Sequence, residues 1–143
     1  MEAIEILKKK LVGNFYSRFS VGDTWKLCFD DFWLIGHNVV SVDEGRLNDY
    51  LQSNYLPAQS AIDQENVSKS IIISSTQRKL VTEVTLNANS ALTLTFENSV
   101  QLTFATGTGI VDWQWALNEN GGDPYASHIV SCFNSGEVQV GSC

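Results

Sequence analysis

The sequence predicts an α+β fold, in which a curved antiparallel β-meander sheet is covered by two helices from the N-terminal half. Three observations carry this prediction. Two early segments place apolar residues at helical spacing, around Leu7 and around Leu51. Beyond Lys69 most of the chain alternates apolar and polar residues at strand spacing. The breaks between those alternating runs are short and rich in Asn, Asp, Gly and Ser, the residues that tolerate hairpin-turn backbones. Helices grouped ahead of strands indicate α+β rather than a parallel α/β sheet. A chain of 143 residues is the size of one domain, here residues 1–143.

Each element follows from its own pattern. Ile4, Leu7 and Leu11 mark one face of a helix over residues 2–12, with Gly13 as its stop. "WKLCFDDFWLIGH" is a hairpin turning at Asp30–Asp31, which places Phe29 opposite Phe32, Leu27 opposite Leu34, and Trp25 opposite Gly36. Its other face carries Lys26, Cys28, Trp33, Ile35 and His37. Leu47, Tyr50, Leu51 and Tyr55 mark a second helix, opened by a Ser41/Glu44 capping box or by Asp43, and ended by Pro57. Residues 58–69 read as a polar loop with room for one helical turn around Ile62. "KSIIISST" reads as a short β-branched strand. Between "LTLTFE" and "VQLTF", a three-residue loop with a bulge near Ser99 is needed to pair Leu92 with Phe104 and Leu94 with Leu102. "IVDWQWAL" puts Val111, Trp113, Trp115 and Leu117 on one face, and "HIVSCF" and "EVQVG" form a last hairpin. The count is six to eight strands.

Charge separates the two halves of the chain. All nine Lys and Arg lie at or before Lys79, where ten acidic residues leave a net −1. After Lys79 there is no cation, and Glu83, Glu97, Asp112, Glu119, Asp123 and Glu137 give −6. Nucleic acid and anionic membrane are excluded as partners, because both require clustered cations. A basic protein surface fits such a field. The acidic N-terminus lacks the basic-then-apolar order of a leader, no apolar run reaches membrane-spanning length, and the three cysteines are irregularly spaced. A cytoplasmic protein, monomeric or homodimeric, is expected.

No reaction signature is present. The chain has no G-x-S-x-G elbow, P-loop or G-x-G-x-x-G turn. Cys28, His37, His128 and Cys132 lack metal-ligand spacing, since positions four apart on a strand lie about 13 Å from each other. Cys28 and Cys132 read as small buried hydrophobes. No catalytic residue, metal or cofactor is expected, and the chain is read as non-enzymatic. Trp113 and Trp115 suit either a core wall or an interface platform, while Trp33 and Tyr125 have polar neighbours and are expected to be partly exposed.

The segment Leu92–Phe104, "LTLTFENSVQLTF", set in a short acidic α+β chain without catalytic signature, resembles small bacterial immunity proteins of contact-dependent inhibition and related polymorphic toxin systems. The resemblance implies a protein that binds and neutralises one cognate toxin, often a nuclease. Its expected contact set is Glu83, Glu97, Asp112, Glu119, Asp123 and Glu137, with Trp33, Trp113 or Tyr125 as aromatic anchors. The alternative is a small-ligand-binding protein or enzyme with a pocket between the helices and a curved sheet.

Overall fold

A computed structural model describes residues 2–55, 64–109, 111–125, 127–134 and 136–141. Pro57, the Ile62 turn and Cys143 lie outside the described residues. The fold is α+β, with all strand pairs antiparallel and the helices in the N-terminal half. Helix α1 (Ala3–Leu11) stops where Gly13 adopts a φ of +80°, which residues with a Cβ avoid. Strands β1 (Tyr16–Val21), β2 (Trp25–Phe29) and β3 (Phe32–Gly36) follow, and then the short β4 (Val39–Val40). Helices α2 (Glu44–Asn54) and α3 (Gln64–Thr76) precede strands β5 (Val81–Leu86), β6 (Leu92–Phe96), β7 (Gln101–Phe104), β8 (Trp113–Asn118), β9 (Val130–Phe133) and β10 (Val138–Val140).

The strands divide between two sheets. Sheet A runs β1-β2-β3-β8-β9-β10, and sheet B runs β4-β7-β6-β5. The expected single meander is therefore split, and the chain enters sheet B at residues 37–38 and returns to sheet A between β7 and β8. One apolar core takes Leu27, Leu34, Trp115 and Leu117 from sheet A and Leu92, Leu94, Leu102 and Phe104 from sheet B. It also takes Leu7 and Leu11 from α1, and Ile72 and Ile73 from α3. At Gly36 the two sheets pack closely, since a Cβ there would sit 2.7 Å from the Phe104 ring. The Trp115 indole N–H donates to the Ser90 carbonyl at 2.9 Å, so the largest buried side chain is also tied down.

Both predicted hairpin registers occur. Trp25 pairs with Gly36, Leu27 with Leu34, and Phe29 with Phe32. Leu92 pairs with Phe104 and Leu94 with Leu102, and Ser99 takes the left-handed turn position at φ +69°. The predicted strand "KSIIISST" is instead part of α3. Its buried residues, Ser68, Lys69, Ile72, Ile73 and Thr76, recur at helical spacing while Ile71 faces outward, so tertiary packing overrides the β preference of three successive isoleucines.

Helix α2 covers less than its sequence pattern implies, because none of its residues is fully buried and Tyr50 is 62% exposed. Polar contacts anchor it to α3. Glu44 lies 2.7 Å from the buried ammonium of Lys69, and the Ser68 hydroxyl donates to Asn48. Only half of the expected capping box forms. The Glu44 carboxylate accepts the Ser41 N–H at 3.2 Å, while Asp43, at the cap position, pairs with Arg46 instead.

Candidate functional site

The outer face of sheet A, turned away from the main core, carries a second apolar layer. Ile35, Trp113 and Ala116 are buried there, flanked by Trp33 and Phe133. A bulge between Trp113 and Trp115 creates it, because Trp113 pairs with Phe133 but Trp115 pairs with Cys132. The extra residue, Gln114, is buried. Its side-chain amide accepts the Thr108 N–H at 3.2 Å and donates to the Thr108 carbonyl at 3.1 Å. The expected single face for Trp113 and Trp115 is thus corrected: Trp115 enters the main core and Trp113 the outer layer.

The segment following β8 folds back over this layer. Asn118 holds it by accepting the Gly121 N–H and donating to the Gly122 carbonyl, both at 2.7 Å. Gly121, at φ +73°, rests against the Trp33 ring, where a Cβ would lie 3.1 Å from the indole. Pro124 is buried, and its carbonyl lies 3.2 Å from Nδ1 of His128, whose ring meets Phe133 edge-on. His37 packs on Trp113 with ring centroids 4.3 Å apart. Burial lowers the His37 pKa below its ordinary value, while the carboxylate of Asp123 acts in the opposite direction. Nε2 of His37, Nε2 of His128 and Oγ of Ser131 are buried without a hydrogen-bond partner among the described residues.

At the rim of this layer the structure brings together three of the predicted residues. The Tyr125 hydroxyl donates to Oδ2 of Asp112 at 2.7 Å. That bond first, then loss of water around the hydroxyl, and then the charges of Asp112 and Asp123, raise the Tyr125 pKa. The Tyr125 ring is 62% exposed. Glu119, just after β8, and Glu137, just before β10, are exposed at other points of the same sheet. Glu83 on β5 and Glu97 in the β6–β7 turn are exposed on sheet B and do not join the cluster. None of the six carboxylates forms an ion pair among the described residues. Trp33 is half-buried beneath the guanidinium of Arg18, 5.7 Å from its ring. Trp113 is 2% exposed, so it supports the rim from below and offers no anchor to a partner. Neither the place of His37 under the rim nor the Gln114 bulge has a sequence signal that would reveal it.

Other chemistry is constrained by burial. Cys132 lies in the main core, and burial pushes its thiol up to about 11, so no thiolate nucleophile forms near neutrality. Among the described residues, no group of three or more His, Cys, Asp or Glu is placed to hold a metal ion. The crevice between the helices and sheet B, lined by Val39, Ile72, Leu102 and the Lys69–Glu44 pair, is too narrow to admit water. Among the described residues no helix is long and apolar enough to cross a membrane. Compared with known protein families, curated proteins and solved structures, the chain matches none.

Proposed function

We propose that this chain is a non-enzymatic immunity-type protein that binds and neutralises a cognate toxin, a basic protein of the nuclease kind, through its acidic surface. The observation that carries the reading is six exposed carboxylates with no neutralising cation among the described residues, two of them joined at one rim with the exposed Tyr125 ring. Surface carboxylates left without a neutralising cation add to a negative field, which steers a basic partner and raises its association rate. Tyr125 adds an aromatic surface held in place by Asp112, an arrangement suited to stacking with arginine. The reading also accounts for the lack of a reaction signature, since such a protein acts by occupying its partner's surface.

The test uses the product of the reading frame next to this gene. Its association rate with the purified chain is measured as NaCl rises from about 50 to about 500 mM, where the screening length falls severalfold. The expected result is a drop of about tenfold or more in the association rate. A rate that ignores ionic strength, or a neighbour that does not bind, overturns the reading.

A further inference from the structure

The segment after β8 contains the one Asn–Gly pair of the chain, Asn120–Gly121. Its geometry recurs at two other turns. At Asn89, Asn98 and Asn120 the side-chain oxygen accepts the N–H of the residue two places on, at 3.3, 3.3 and 2.8 Å. In each case the intervening residue, Ser90, Ser99 or Gly121, is left-handed, with φ of +66°, +69° and +73°. All three asparagines are exposed. The turns differ at the intervening amide nitrogen. In Ser90 and Ser99 a side chain stands beside it, and the N–H donates to a main-chain carbonyl, that of Asn87 or Phe96, at 2.9 Å. Gly121 has no side chain, and its N–H is held by the side chain of Asn118, 2.7 Å away.

We propose that Asn120 is a site of self-modification, at which the Gly121 nitrogen converts the side-chain amide to aspartate and isoaspartate. The Gly121 nitrogen gives its proton to water and attacks Cγ of Asn120. A C–N bond forms, the bond from Cγ to Nδ2 breaks, and ammonia leaves, closing a succinimide ring. Water then opens the ring at either carbonyl. The Gly122 N–H assists, because it already donates to Oδ1, the oxygen on which negative charge develops during the attack. Glycine leaves the attacking nitrogen unshielded, which serine does not. Asn118 opposes the step, because its bond keeps the proton on that nitrogen and fixes its direction, so conversion proceeds when the bond opens locally. The isoaspartate product has a main chain longer by one carbon atom, which displaces Gly121 from its place against the Trp33 ring. Either product adds a carboxylate to the six beyond Lys79. The step uses neither the Asp112–Tyr125 pair nor any partner protein, and the proposal is independent of the toxin-binding reading.

The test ages the intact chain at mildly alkaline pH and physiological temperature, then digests it and maps each asparagine by mass spectrometry with electron-transfer fragmentation, which separates isoaspartate from aspartate. The expected result is conversion at Asn120 severalfold ahead of Asn89 and Asn98. A matching acidic form appears on isoelectric focusing, and Asn120→Gln abolishes it. Asn118→Ala speeds conversion at Asn120 severalfold in a chain whose amide spectrum stays dispersed. Ser99→Gly serves even where Asn118→Ala fails to fold, since glycine suits that exposed left-handed turn, and it raises conversion at Asn98 severalfold. Conversion at Asn120 no faster than at Asn98, an unchanged rate in a folded Asn118→Ala chain, or no response of Asn98 to Ser99→Gly overturns the proposal.

Discussion

Gly36 and His37 are neighbours with opposite demands on space. At Gly36 the Phe104 ring occupies the volume a side chain would need. Gly36→Ala should therefore lower stability by about 1–3 kcal/mol, the usual cost of overpacking a filled core. Urea unfolding measures this, and Phe104→Leu in the same chain should recover part of the loss. At His37 the constraint is on charge. Burial holds its folded pKa below the ordinary 6.5, so the unfolded chain takes up a proton more readily. The stabilisation is complete above about pH 6.5 and declines as pH falls toward the lower folded value. His37→Phe should flatten that decline, which thermal unfolding across pH 5–8 would show. A variant that keeps the full pH dependence would place its source in another group.

At the scale of elements, the α2–α3 pair rests on a charge contact more than on apolar burial. The side chains of Lys69 and Glu44 are 4% and 13% exposed. Glu44→Ala should cost about 3 kcal/mol, because it removes the carboxylate facing a buried ammonium. Replacing the pair together, with Lys69→Met and Glu44→Leu, should restore most of that loss, because two apolar side chains need no mutual neutralisation. A urea series on the two variants distinguishes this from loss of the α2 cap, which the double variant would not repair. The elements legible in the sequence were those with a period and a turn in one short window. The "FDDF" and "FENSV" hairpins gave their registers because a one-residue slip would have turned Leu27 or Leu94 out of the core. α3 was illegible because Ile71–Ile73 satisfy a strand pattern locally, and only their tertiary neighbours select the helix. The bulge at Gln114 was illegible because it depends on Thr108 and Asn134, which lie 6 and 20 residues away. The candidate site was half legible: Asp112, Asp123 and Tyr125 stood among the predicted residues, but nothing local foretold that Tyr125 would reach back to Asp112.

Across the whole molecule, the two sheets divide the negative charge. Asp112 and Asp123 share a rim on sheet A, whereas Glu83 and Glu97 stand on sheet B. If the toxin docks at the rim, Asp112→Asn with Asp123→Asn should slow association more than Glu83→Gln with Glu97→Gln, although both double variants remove two charges. Stopped-flow mixing at low salt measures the difference, and equal slowing would assign steering to net charge instead of to the rim. The same layered construction places the tryptophans in separate compartments. Trp25 and Trp115 belong to the interior shared by both sheets, while Trp113 and Trp33 belong to the outer layer, and of these Trp113 packs against the imidazole of His37. Protonated imidazole quenches indole emission, so the fluorescence of Trp113 gauges the ionisation of His37 from within. With Trp33 replaced by phenylalanine, a drop in pH would then dim Trp113 and leave the interior pair as a steady reference.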